Sequence, residues 1–215
     1  MPPARDPKQP LALAICLSGS GRTFQNIADH IQGGRLNATI KRVISSKPGA
    51  AGLDRAAAMN IAAHVVARKQ HDSVDSFSEA IFDHVRQASA DLVCLAGWLS
   101  LIRIPDDFAH RVINIHPALL PSFGGRGMYG RHVHEAVLAA GCKVSGCTVH
   151  FADQTYDTGP IIVQRTCPVR PSDTPQKLAA RVFKQECKAY PQAIGLIAAG
   201  RVAVEGRLAR ILPKS

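Results

Sequence analysis

Hydrophobic positions fall into short blocks along this chain. The spacing within a block switches repeatedly between the unbroken run of a buried strand and the three-to-four rhythm of a helix. Leu11–Leu17 is apolar throughout, which predicts a strand covered on both faces. After the polar link Ser18-Gly19-Ser20-Gly21-Arg22-Thr23, the residues Phe24, Ile27, Ala28 and Ile31 recur at helical spacing. Residues 40–45 read as a second strand, alanine-rich 52–59 as its returning helix, and 61–66 as a third strand. Val74–Gln87 has amphipathic spacing, 91–97 is a fourth buried strand ended by Gly97 and Trp98, and Val112–His116 is a fifth. Strand and helix in alternation imply an α/β fold with a Rossmann-like, doubly wound, mostly parallel sheet and right-handed crossovers.

The rhythm changes after the fifth strand. Residues 122–130 hold four glycines in nine positions, and such a segment is either a flexible loop that closes over a ligand or a long connector. Residues 135–140 are helical with Gly141 as C-cap, and 143–152 and 160–166 read as antiparallel strands around a polar loop, 153–159. Thr174 is an N-cap and Pro175 suits the first turn of a long helix with Leu178, Val182 and Cys187 on its apolar face; Pro191 is a candidate kink. Residues 201–204 and 207–211 pair as a closing hairpin, so a C-terminal antiparallel extension is expected. Residues 1–10, with four prolines, read as a flexible tail. With no repeat, linker or second boundary in view, 11–215 is expected to be a single domain.

Composition narrows the class only slightly. At 215 residues, 46% hydrophobic and 20% charged, the chain is long enough for a well-buried core. The net charge of +10 points to an anionic partner, either nucleic acid or a phosphorylated small molecule. Basic residues are scattered and aromatic residues few, so nucleic-acid binding is not expected. Six cysteines form no C-x-x-C pair and sit mostly in apolar segments, as free thiols in a reducing compartment do. His132 and His134 fall where a helix begins and lack a ligand cluster, so no metal is expected. Arg5 and Lys8 precede an apolar run, yet no small-x-small cleavage site follows, and no segment is long enough to span a bilayer; a cytoplasmic protein is expected.

The candidate chemistry begins at Asn114-Ile115-His116-Pro117. Side chains two apart on a strand share a face, so an amide and an imidazole project together from the carboxyl end of the fifth strand, where open α/β sheets place their sites. An amide can hold a developing oxyanion and an imidazole can move a proton near neutral pH. A buried Asn and His that merely satisfy loop backbone are the alternative. The strand-glycine-helix turn at residues 18–23 presents backbone N–H groups to a phosphate, although a tight connecting turn has the same composition.

Three segments together, Asn114-Ile-His-Pro-Ala-Leu-Leu-Pro121, Gly146-Cys-Thr-Val-His-Phe151 and Asp157-Thr-Gly-Pro160, resemble the phosphoribosylglycinamide formyltransferase family, folate-dependent enzymes of purine synthesis. The resemblance runs from about residue 11 to 205. It implies transfer of a formyl group from 10-formyltetrahydrofolate to the amine of glycinamide ribonucleotide, with Asn114, His116 and Asp157 catalytic and His150 orienting Asp157 or water. It further implies that Gly21, Arg22 and Thr23 hold the substrate phosphate and Glu186 the ribose. By the same resemblance Trp98, Leu99, Ser100, Leu101, Ile102 and Asp153, with Asn114 and Asp157, line the folate end. The nucleotide half would be about 11–110, the catalytic and folate half about 111–215, and the molecule a monomer or homodimer acting on small molecules.

This chain departs from the family pattern in three places. Gly97-Trp-Leu-Ser-Leu-Ile-Arg-Ile104 replaces the usual G-[FY]-M-R-I-L, Val74 stands where an arginine often helps hold the folate tail, and the loop after Pro121 is longer and richer in glycine. Related chemistries remain alternatives. Methionyl-tRNA formyltransferase is expected to carry a further C-terminal barrel beyond a point such as Ser215. Formyltetrahydrofolate hydrolase is expected to carry an N-terminal regulatory domain before the first strand. A non-catalytic phosphoribosyl-ligand binder would leave the three polar residues without a shared purpose.

Overall fold

The computed structural model describes residues 9–213. Most of the tail expected at residues 1–10 lies outside them. The first strand, β1 (Leu11–Leu17), runs into α1 (Arg22–Gln32), β2 (Ala38–Ser45), α2 (Ala51–Ala58), β3 (Ala63–Val65), α3 (Val74–Gln87), β4 (Leu92–Leu95) and β5 (Val112–His116). Then come α4 (Arg131–Ala139), β6 (Val144–Phe151), β7 (Ile161–Pro168), α5 (Pro175–Ala198), β8 (Val202–Glu205) and β9 (Leu208–Ile211). The nine strands make one sheet in the order β3-β2-β1-β4-β5-β6-β7-β9-β8.

Strands β3 to β5 pair in parallel, and β5-β6, β6-β7 and β8-β9 pair antiparallel. The doubly wound sheet with an antiparallel C-terminal extension is therefore present as expected. The closing hairpin does more than pair with itself. Leu208 of β9 meets Ile161 of β7 in parallel register, which attaches the hairpin to the main sheet.

All seven residues of β1 are buried because helices cover both faces. Leu11, Leu13, Ile15 and Leu17 pack with Phe24 and Ile27 of α1 and Tyr190 and Ile194 of α5. Ala14 and Cys16 look the other way, toward Phe77, Ile81, Phe82 and Val85 of α3. Each large side chain so buried contributes roughly 1.5–3 kcal/mol. Helix α3 begins at Ser73, whose hydroxyl accepts from the Ser76 amide at 3.0 Å, a cap built with serine in both positions.

Two boundaries differ from expectation for physical reasons. Helix α4 starts at Arg131, four residues early, because buried His134 takes an inward position beside Val133 and Val137 that an apolar side chain normally fills. Strand β3 shrinks to three residues because it is the sheet's edge, where Ala63 and Val65 face solvent. Helix α5, capped at Thr174 by the Lys177 amide at 3.2 Å, continues through Pro191 to Ala198. Among the described residues no helix is long and apolar enough to cross a membrane.

Candidate active site

The strand order reverses between β1 and β4, and a crevice opens at their carboxyl ends. Short polar bonds hold its floor. The Ser18 amide donates to the Gly97 carbonyl at 3.1 Å, the Ser18 and Ser46 hydroxyls bond at 2.7 Å, and the Leu99 amide donates to the Ser18 oxygen at 3.1 Å. Beneath it, the buried Tyr190 hydroxyl lies 3.1 Å from the carbonyls of both Leu95 and Ile113, pinning α5 under β4 and β5.

Asn114 and His116 point to one face of β5, and antiparallel β6 sets His150 opposite Asn114 and Thr148 opposite His116. Thr148 holds the turn that follows the histidine. Its hydroxyl donates to the Ala118 carbonyl at 2.7 Å and accepts from the Leu120 amide at 3.0 Å, while the Gln164 amide spans the Leu120 carbonyl and the same hydroxyl. The loop after β6 then brings Asp157 back over β5. Gly159 makes this return possible, since a Cβ there would overlap the Phe151 carbonyl oxygen.

The carboxylate of Asp157 is the hub of a compact cluster. The Asn114 Nδ2 donates to Oδ1 at 3.3 Å, the Gly125 amide donates to Oδ2 at 2.9 Å, and His116 Nδ1 lies 3.5 Å from Oδ2. His150 donates from Nδ1 to the Phe151 carbonyl at 2.8 Å, so in the neutral ring Nε2 accepts from Asn114 at 3.2 Å; that nitrogen lies 3.6 Å from Asp157. His116 donates from Nε2 to the Phe123 carbonyl at 2.8 Å, which turns Nδ1 toward the carboxylate across a gap too long for a direct hydrogen bond. Asp157 and Phe123 both hold positive φ, 58° and 55°, a backbone conformation uncommon for non-glycine residues and rarer for a bulky one such as Phe than for Asp.

Burial lowers the His116 pKa, opposed by the charge of Asp157 and the bond to Phe123. Burial alone would raise Asp157, but the neighbouring His150 and His116 rings and the bond from the Gly125 amide carry it below the usual carboxylate range. The cluster thus favours a neutral imidazole beside an ionised carboxylate at pH 7.

A cavity of about 560 Å³ runs past this cluster. Arg22, Thr23, Phe183 and Glu186 form one part of its wall, and Trp98, Leu99, Ser100, Leu101, Ile102 and Asp153 another. Asn114, His116, His150 and Asp157 share the same cavity, so of the residues proposed from the sequence for catalysis or binding only Gly21 is absent from its lining. Gly21 stands behind the wall with φ +68°, and a Cβ on it would lie 2.6 Å from the Gly52 backbone, so its smallness lets the β1-α1 turn touch α2. No side chain caps the first turn of α1. Burial raises Glu186 to about 7, moderated by the charge of Arg22. Asp153 accepts from the Thr155 amide and the Thr158 hydroxyl, shaping the loop that carries Asp157.

The sequence reading missed Thr148, Gln164, Tyr190, Phe183 and Gly125. Thr148 carried a signal as the threonine of its motif and Gly125 as part of the glycine-rich segment; the others act through contacts far along the chain. The glycine-rich loop 122–130 does reach the site, lining the cavity from Gly125 to Gly130. Among the described residues no group of three or more His, Cys, Asp or Glu side chains is placed to hold a metal ion.

Comparison with known proteins gives the same picture. The chain is 38% identical over 193 residues to the chloroplastic phosphoribosylglycinamide formyltransferase of Arabidopsis thaliana, covering 88% of this chain and 66% of that protein, so it spans just under two thirds of that relative. It is 34% identical over 209 residues to phosphoribosylglycinamide formyltransferase of Haemophilus influenzae, covering 94% and 96% of the two chains. The crystal structure of glycinamide ribonucleotide transformylase 1 from Symbiobacterium toebii superposes with a TM-score of 0.88 at 37% identity, covering 95% of each chain. A family model described as formyl transferase matches residues 11–194, and this chain belongs to the formyl transferase family.

Proposed function

We propose that the chain transfers the formyl group of 10-formyltetrahydrofolate to the primary amine of glycinamide ribonucleotide, in de novo purine synthesis. One observation carries the reading: Asn114, His116, His150 and Asp157 converge on a single cavity between the α1 N-terminus with Glu186 and the Trp98 segment. The phosphoribosyl half of the acceptor takes the first end. The Arg22 and Thr23 amides, and the Arg22 side chain, face its phosphate, and Glu186 faces its ribose. The folate takes the second, against Trp98, Leu99, Ser100, Leu101, Ile102 and Asp153.

The neutral amine attacks the formyl carbon. A C–N bond forms, the carbonyl pair moves to oxygen, and the amine becomes cationic. Asn114 exchanges its 3.3 Å bond to Asp157 for one to the new oxyanion, a donor worth about 3–4 kcal/mol of barrier. The ionised Asp157, with water or His116 in the 3.5 Å gap, accepts the ammonium proton and returns it toward N10 as the bond to N10 breaks, releasing tetrahydrofolate. His150 keeps Asn114 and Asp157 in register. No covalent intermediate on the protein is required.

Every residue in this scheme comes from one chain, so a monomer or a homodimer serves equally. One sheet threads the whole of 11–211, which supports reading the chain as a single domain whose two halves interleave at the site. Six free cysteines, four of them buried, suit a reducing compartment, and we place the enzyme in the cytoplasm.

The test is the consumption of 10-formyltetrahydrofolate followed with and without glycinamide ribonucleotide. Turnover that depends on the amine supports transfer. Equal turnover without it would make the protein a hydrolase using water in the same site.

A further inference from the structure

Two cavities meet at one pair of side chains. The Arg22 guanidinium carbon lies 3.9 Å from the ring centre of Phe183. These two residues line both the main cavity and a smaller groove of about 250 Å³, which Gln25 and Asp29 also line. Arg22 sits in the first turn of α1 and Phe183 on α5, one turn before Glu186. Among the described residues no protein acceptor bonds the Arg22 side chain, and face-on stacking leaves its N–H edge free for a ligand. A carboxylate stands on either side of the pair, Glu186 in the main cavity and Asp29 in the groove, where Gln25 donates to Asp29 at 2.8 Å.

An exposed arginine between two carboxylates and a cavity has several low-energy positions, and a half-buried ring beneath it selects one. We propose that Phe183 is a positioning residue for the phosphorylated substrate, its ring holding the Arg22 guanidinium at the main cavity, over a phosphate at the start of α1, and away from Asp29. The inference rests on the transformylase reading and adds a specificity element that acts only through Arg22.

Kinetics of Phe183→Leu and Phe183→Tyr test it. In Phe183→Leu, KM for glycinamide ribonucleotide rises about five- to thirtyfold, the range a partly desolvated cation–π contact spans. There kcat and the KM for 10-formyltetrahydrofolate change less than about twofold, and Phe183→Tyr, which keeps the aromatic face, restores KM. Inorganic phosphate, titrated calorimetrically as a probe, weakens in parallel with KM. Arg22→Met loses the same factor, and Arg22→Met/Phe183→Leu loses no more than Arg22→Met alone. A drop in kcat with KM unchanged, equal defects in the Leu and Tyr variants, or additive losses in the double variant would overturn the proposal. If the native protein fails to formylate glycinamide ribonucleotide, the transfer reading falls, and the phosphate titrations still decide the role of Phe183.

Discussion

A carboxylate that stays ionised beside an imidazole that stays neutral is the arrangement a proton relay needs, and its tuning belongs to individual residues. Asp157 raises the His116 pKa while burial lowers it, and burial prevails. Removing the negative charge takes away the raising influence, so in Asp157→Asn the His116 pKa falls further below its ordinary value. An NMR titration of the ring resonances checks this, and an unchanged or raised value would contradict the placement of the pair. Asn114→Ala removes the oxyanion donor and lowers kcat by about two to three decades, with an unaltered melting curve. Near-normal turnover there would remove Asn114 from the scheme. At this scale the amide and imidazole were legible, because a strand's period of two sets their direction before any coordinates are known. The Asp157 backbone was not, since its positive φ goes with tertiary contacts, the close packing of Gly159 on the Phe151 carbonyl and the bond from the Gly125 amide 32 positions away.

Elements place these residues, and the placing depends on contacts between distant segments. Thr148 and Gln164 clamp the turn after β5, and Tyr190 ties α5 to the carbonyls of Leu95 and Ile113. Tyr190→Phe deletes a buried hydroxyl that two carbonyls face, a loss of about 1–3 kcal/mol and roughly 3–10 °C in Tm. Thermal unfolding followed by circular dichroism measures it, and an unmoved midpoint would show that α5 is held by packing alone. Gly159→Ala forces β6 and the Asp157 loop apart, so transfer activity falls far more than stability. A fully active Gly159→Ala protein would show that the loop tolerates displacement. The elements themselves were legible in outline, because continuous apolar runs mark two-sided burial. What escaped was the start of α4, where a buried histidine stood in an apolar position, and the docking of β9 on β7, which a single registered pair creates.

The whole molecule carries a net charge of +10, and the end of the cavity proposed for the phosphate adds Arg22 to the free amides of an uncapped helix. Both favour a dianionic acceptor over long range and are screened by salt. Raising ionic strength from roughly 0.05 to 0.5 M, where the Debye length shrinks from about 14 to 4 Å, should raise KM for glycinamide ribonucleotide and leave kcat unaffected. A salt-insensitive KM would mean that shape alone selects the acceptor. Charge was legible from composition, but composition could not say which anion is bound. The proposed anion rests instead on the site, where strands from both halves of the chain bring the α1 N-terminus, polar cluster and Trp98 segment to one crevice. The most direct measurement uses 10-formyltetrahydrofolate labelled with ¹³C in the formyl carbon, incubated with glycinamide ribonucleotide and the native protein, with the label located by NMR. The account predicts the labelled carbon bonded to the nitrogen that was the acceptor's primary amine, formed two or more decades more slowly in Asn114→Ala, whereas label recovered as free formate would contradict it.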